Sequence, residues 1–419
     1  MEKSAAALLS PPVAGRSLCV AVVTETYPPE INGVALTVRH LVDGLRQRNH
    51  RIQLIRPCQG PDDTPQDEPG LAHFLQRGFP IPRYPHLRMG LPAGAELKRI
   101  WRTRRPNIVH IATEGPLGWS ALNAAIQLGI PVSTAFHTNF HSYTKHYGIG
   151  WLRQPISAYL RHFHNRARMT LVPDEGLRRD LESQGYRNLA VVGRGVDIAL
   201  FDPARRKAEL RRRWGASRND LVALYVGRLA AEKNLDAVVD AFDAMRARHP
   251  RAKLVWVGDG PQRTQLLARY PDHIFAGMRT GIDLAEHYAS ADVFLFPSLT
   301  ETFGNVTLEA MASGLAVVAY NYAAAAENIR HGENGLVAEF DDLARFCEQA
   351  AGLAARSEMI VHLGRNARLS AQNRAWSHIC ERFEALLLDI AGARGRQAGP
   401  EPFMPAANAR LESGSAPPP

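Results

Sequence analysis

The residues with the most to offer chemically lie in SADVFLFPSLTETFGNVTLEAMASGL, where Glu301 and Glu309 flank a small-residue turn. DVFLFPS (292–298) reads as a buried strand, and GNVTLEAMASG as the start of a helix. Amides at a helix start are unpaired and the helix dipole favours negative charge there. Phe303, Gly304, Asn305 and Val306 can therefore offer N–H groups to a phosphate. Carboxylates accept hydrogen bonds from hydroxyls, which makes a sugar or ribose ring a natural partner for both glutamates. The competing reading is an acid that merely complements the dipole, with Glu309 solvated; the segment alone leaves the two even.

A second group supplies the opposite charge. In VGRLAAEKN (226–234), Arg228 and Lys233 straddle a turn after another strand. Two cations at a strand's carboxyl end can neutralise a diphosphate and stabilise its departure, although a surface pair with Glu232 would read the same way. INGVA (31–35) places Gly33 in a loop after the first strand, where the missing side chain permits close approach to a ligand or simply makes a turn. FHTNFHSYTKHYG (136–148) carries His137, His141 and His146, with His164 later; no strong metal-ligand spacing is present. His137, at a strand's carboxyl end, is better placed to orient a substrate. GDGPQR (258–263) resembles the start of a phosphate loop, but it and GRGVDI (193–198) both lack the full GxGxxG pattern, and no GxxxxGK[ST] occurs.

These residues need a scaffold, and the apolar runs supply it. LCVAVVTE (18–25), RIQLIRP (51–57), NIVHIAT (107–113) and PVSTAFHT (131–138) form one strand series. LVALYVGR (221–228), KLVWVGDG (253–260), DHIFAGM (272–278), DVFLFPS and AVVAYN (316–321) form a second. Strands apolar throughout that alternate with helices predict buried parallel sheets, hence an α/β fold of two doubly wound, Rossmann-like halves around a cleft. The expected divisions are a flexible leader (1–17), domains over 18–195 and 196–370, a helix over 371–391 that is a candidate to cross back, and a disordered tail (392–419) rich in Gly, Pro, Ala and Ser. The chain has 419 residues and a net charge of +9, which favours anionic partners without choosing among them. Cys19, Cys58, Cys347 and Cys380 are far apart and read as reduced core residues of a cytosolic protein. No apolar stretch is long enough to span a membrane.

Taken together and in order, the 301–309 stretch, GRL-x-x-EK (227–233), VGDGP (257–261) and the glycine loop at 33 resemble the family-4 retaining glycosyltransferases of GT-B fold, over roughly 18–390. NGVALTVRHL, GRGVDIALFDP and YASADVFLFPSLTETFGNVTLEAMASGL are similar to the GDP-mannose-dependent α-mannosyltransferases that act on glycolipids; sulfoquinovosyl- and glucosyl-lipid synthases are similar throughout. The resemblance implies an acceptor-side N-terminal domain and a donor-binding C-terminal domain. It implies that Glu301 holds the transferred sugar, Glu309 the ribose, and Arg228 and Lys233 the diphosphate. Gly33 would touch the β-phosphate, His137 the donor sugar near the reacting carbon, and backbone groups around Met278 the base. No metal or other cofactor is implied. AAAAENIRHGENG (323–335) departs from the family's Gly-Gly pattern, leaving Glu327 to help close the site.

KHYGIGWLRQPISAYLRHFHNRAR (145–168) mixes Trp151, Tyr159, Leu160 and Phe163 with Arg153, Arg161, Arg166 and Arg168. It reads either as an ordinary helix with one buried face or as a peripheral anchor on the anionic inner face of a membrane. RRKAELRRRW (205–214) reads as a solvated helix face, and nothing suggests nucleic-acid binding. Three functions compete: a hexosyltransferase acting on a lipid or glycan acceptor, a sugar-nucleotide epimerase, and a catalytically silent nucleotide-sugar or lipid-binding protein. The joint presence of Glu301, Glu309, Arg228, Lys233 and His137 favours the first.

Overall fold

The computed structural model describes residues 17–30, 32–60, 63–64, 68–81, 84–136, 153–301 and 303–392. Strands with no polar face must be covered on both sides, and they end in two parallel sheets layered with helices. The first half runs β1 (Cys19–Val23), α1 (Gly33–Gln47), β2 (Arg51–Pro57), β3 (Leu71–Gln76), an antiparallel hairpin of β4 (Gly78–Ile81) and β5 (Tyr84–Gly90), and α2 (Gly94–Thr103). It continues with β6 (Ile108–Ile111), α3 (Pro116–Gln127), β7 (Val132–Ala135), α4 (Arg153–Asn165), β8 (Met169–Val172), α5 (Glu175–Ser183) and β9 (Leu189–Val191). Its sheet is ordered β3-β2-β1-β6-β7-β8-β9, with every neighbouring pair parallel.

The second half runs α6 (Ala208–Arg213), β10 (Val222–Val226), α7 (Leu235–Arg248), β11 (Lys253–Val257), α8 (Arg263–Arg269), β12 (Ile274–Gly277), α9 (Gly281–Ser290) and β13 (Val293–Phe296). Then come α10 (Asn305–Ala312), β14 (Ala316–Tyr320), α11 (Ala323–Asn328), β15 (Leu336–Ala338), α12 (Leu343–Ala354), α13 (Ser357–Gln372) and α14 (Trp376–Gly392). Its parallel order is β12-β11-β10-β13-β14-β15. In each half the strand order reverses once, between β1 and β6 and between β10 and β13. The carboxyl ends of strands at such points form the crevice where α/β sheets bind ligands.

Helix α14 packs on the first half, not the second: Ile379, Cys380, Phe383, Leu387 and Ile390 join the core formed by β1 and α1. The approach is close enough that a Cβ on Gly44 of α1 would lie 2.2 Å from Cys380 Sγ. Glu384 fixes the orientation, accepting from Arg48 Nη1 at 3.0 Å and lying 2.8 Å from His50 Nε2. Leu18 N–H donates to His50 Nδ1 at 2.9 Å, so Nε2 is the ring nitrogen left to donate to Glu384.

Three expectations change. RRKAELRRRW is a solvated face only in part: Lys207, Glu209, Arg212 and Arg213 are exposed, but Arg211 is buried and bonds Ser290 O, Asp292, Ser217 O and Asp220 O, while Arg206 bonds Ala289 O, Ala291 O and Asp292. A guanidinium's five donors let an arginine in a charge run staple loops together. Of the cysteines only Cys380 is fully buried. Six strands lie outside the predicted runs. β8, β9 and β15 are too short to show a period; β3 is an edge strand of mixed polarity; β4 and β5 form a separate hairpin.

Candidate functional site

The reversal point of the second sheet and the start of α1 face one another across a cleft of about 290 Å³. Its walls include Gly33, Arg194, Arg228, Lys233, Glu301, Phe303, Gly304, Asn305 and Val306. Two helix starts meet there. Asn32 caps α1 by accepting from Val34 N and Ala35 N, which leaves the Gly33 N–H without an acceptor among the described residues. Gly304 precedes α10 with φ 89°, a left-handed conformation that glycine adopts without strain. That kink turns the chain so that the N–H groups of Phe303, Gly304, Asn305 and Val306 have no acceptor among the described residues. Phe303 anchors the turn, buried in the second core.

The charges are arranged around these amides. Lys233 Nζ donates to Glu301 Oε1 at 2.5 Å and to Thr300 O at 3.0 Å; Ser298 Oγ donates to the same Oε1 at 2.9 Å. Glu301 Oε2 makes no hydrogen bond among the described residues. Both side chains are mostly buried, at 16% and 15% exposure, so the pair is fixed rather than a solvated surface contact. Arg228 is different: it is exposed and pairs with Glu232. Glu309 lies one turn inside α10, where it accepts from Tyr288 OH at 2.9 Å. Burial pushes its carboxyl up to about 7, with the Tyr288 hydrogen bond opposing. It does not line the cleft.

Other predicted positions lie apart. Met278 is 65% exposed just after β12 and is not part of the cleft wall. Gly258, which marked a candidate phosphate loop, serves packing: a Cβ there would lie 2.0 Å from Gly227 O. His137 falls outside the described residues, as do residues 145–152 of the aromatic-basic segment. Within α4, Leu160 and Phe163 are core residues, and Tyr159 OH donates to Glu114 O at 2.6 Å. Arg161 bonds Gln184 O. Leu160 and Phe163 therefore face inward, while Tyr159 is 39% exposed.

Glu327 bridges the halves, accepting from Glu175 N–H at 3.0 Å. It borders a second cavity of about 650 Å³, lined also by Phe136, Asp174, Tyr322 and Arg374. Glu301 lines both cavities. Arg194 is the cleft residue that sequence reasoning missed. It sits in VVGRGV, a stretch weighed only for its glycines; the available signal was a lone cation in an otherwise apolar and glycine run between the two halves.

The comparisons with known proteins agree with this architecture. Residues 31–200 match the family model described as Glycosyltransferase Family 4, and residues 220–356 match that described as Glycosyl transferases group 1. A GDP-mannose-dependent alpha-mannosyltransferase of Mycobacterium tuberculosis is 33% identical over 386 residues, covering 90% of this chain and 98% of the relative. An alpha-monoglucosyldiacylglycerol synthase of Streptococcus pneumoniae is 28% identical over 319 residues, covering 72% and 70%. Among solved structures, a sucrose-phosphate synthase of Thermosynechococcus elongatus superposes with TM-score 0.70 at 18% identity, covering 90% of this chain and all of that one, a likeness of fold. With its two facing doubly wound halves and a relative this similar along nearly its whole length, the chain belongs to glycosyltransferase family 4 and is a glycosyltransferase of GT-B fold.

Proposed function

We propose that the chain is a retaining, metal-independent mannosyltransferase that uses GDP-mannose and acts on a hydroxyl of a glycolipid. The observation that carries the donor reading is the Lys233–Glu301 pair, set beside two helix starts whose amides lack partners. The mannose preference draws on the mycobacterial relative's name, and the lipid acceptor on the pneumococcal relative's. The second half binds the donor and the first half faces the acceptor. Arg228, Lys233 and the amides of 303–306 hold the diphosphate, with Gly33 against the β-phosphate. Glu301, already fixed by Lys233 through one oxygen, accepts from sugar hydroxyls through the other. Glu309, half-buried one turn inside α10, takes the ribose through the oxygen not bonded to Tyr288. Backbone groups around Met278 take the base, and His137 the donor sugar near its anomeric carbon.

The acceptor enters through the second cavity, which shares Glu301 with the first. In the transfer, the bond from the anomeric carbon to the diphosphate oxygen breaks. The acceptor oxygen bonds to the same face of that carbon, and its proton passes to the departing phosphate oxygen. Lys233 and the amides, already fixed, then stabilise the leaving diphosphate together with Arg228, the role a metal ion plays elsewhere. Among the described residues no helix is long and apolar enough to cross a membrane. The net positive charge suits peripheral contact with the anionic inner face.

A donor screen of the purified protein tests this reading: GDP-mannose against UDP-sugars, with and without lipid acceptor, and with and without chelator. Release of GDP that depends on acceptor and persists in chelator is expected. Preference for a UDP-sugar would replace the mannose assignment with a glycolipid synthase of glucosyl type. Loss in chelator that Mg²⁺ restores would overturn metal independence.

A further inference from the structure

The chain passes from the first core to the second between Val192 and Val196, and Arg194 lies at the middle of that crossing. The crossing is rigid. Val196 N–H donates to Arg374 O of the returning segment at 2.9 Å, and a Cβ on Gly195 would lie 2.6 Å from the Trp376 ring. From this fixed base the Arg194 side chain reaches the cleft, its Cζ 5.7 Å from the centre of the Phe303 ring. The residue is 4% exposed, yet Nε and Nη2 have no hydrogen-bond partner, and no carboxylate pairs with it among the described residues.

A buried guanidinium without a counterion is costly, and Met would fill the same volume at no such cost. The position therefore suits an anionic ligand. The surroundings say where it sits. A Cβ built on Gly33 would lie 3.1 Å from Arg194 Nη1 and 3.9 Å from Asn305 Nδ2. Gly33 leaves vacant the space onto which the guanidinium, the Asn305 side chain and the unpaired Gly33 N–H converge. Asn305 Oδ1 is likewise buried without a partner. Burial pulls the Arg194 pKa down to about 10, with Glu301 across the cleft opposing; at neutral pH the group is still a cation.

We propose that Arg194 is a third cation of the donor site and donates to the terminal phosphate of the nucleoside diphosphate in the space before Gly33. The inference rests on the donor reading of this cleft. It assigns the crossing segment a direct role: the donor supplies the counterion that this guanidinium lacks among the described residues. Arginine suits this place because its planar fork matches a phosphate's oxygens and its face lies on an aromatic ring.

The test uses the full chain, Arg194→Met and Arg194→Lys, with melting of the unliganded proteins and calorimetric titration with GDP, UDP and GMP. Arg194→Met should melt at or above the wild-type temperature without ligand. Its GDP affinity should fall about 10- to 100-fold, as for loss of a charge-assisted hydrogen bond. Its GMP affinity should match wild type, because GMP lacks the second phosphate, and Arg194→Lys should lie between. Unchanged GDP affinity in Arg194→Met would overturn the proposal while leaving the donor site standing. So would an equal loss for GMP, or a lower melting temperature without ligand, which marks a structural role. Wild-type protein that binds neither GDP nor UDP would remove the donor reading and this proposal with it.

Discussion

The two halves are wound alike, and each carries a glutamate in the loop where its strand order reverses, but the two carboxylates are held in opposite ways. Glu25, after β1, accepts from the backbone N–H groups of Gly90 and Leu117, the latter at 3.2 Å; burial pushes its carboxyl up to about 7. It ties the β4–β5 hairpin and α3 to the first sheet. Glu301, after β13, is held through one oxygen by Lys233 and Ser298 and keeps the other for the cleft. An acid held by amides is structural. An acid held by a cation at a cleft wall is available to a ligand. The first half contributes shape to the site, through Gly33; the second contributes charge.

This contrast can be broken experimentally. Lys233→Ala and Glu301→Ala should each lower turnover by about 100-fold or more, with melting temperatures within a few degrees of wild type. Initial-rate assays paired with thermal melts check this, and near-normal turnover in both would erase the distinction. Gly44→Ala should act on the first half alone. Its new methyl meets Cys380, and overpacking of this kind costs about 1–3 kcal/mol. The melt should fall, the KM for donor should hold, and Cys380→Ala in the same chain should recover part of the loss.

The smallest effect concerns Glu309. Its carboxyl is raised to about 7, so the folded chain binds more protons than the unfolded chain between the ordinary carboxylate range and that value. Its contribution is full below that range and is lost as pH rises through about 7. Glu309→Gln cannot titrate. Its melting temperature relative to wild type should therefore rise between pH 5 and pH 8, on the order of 2 °C. Glu25 titrates in both proteins and drops out of the difference. A pH-independent difference would mean that Glu309 is solvated after all.

Much of this was legible because of how parallel sheets are built. Strands such as LVALYVGR and KLVWVGDG are apolar end to end, so their burial follows from composition. The loops after them carry the charged residues, so GRLAAEK and ETFGNVTLE could be read as a cation group and an acid group before any fold was known. What sequence hid depended on contacts distant in the chain. The glycines of VGDGP pack against the loop after β10. Arg211 donates to the carbonyl of Ser290, 79 residues away, a role no local pattern encodes. Arg194 shows its meaning only when Gly33 and Phe303 close around it. Short strands such as β9 and β15 exist because a neighbour's edge pairs them, not because three residues have a period.

The most direct test of where the donor binds is backbone hydrogen exchange with and without saturating GDP. The account predicts slowed exchange at 303–306, 227–233 and 32–35, with the loop around Glu25 unchanged. Protection confined to other segments, with these three unaffected, would contradict it.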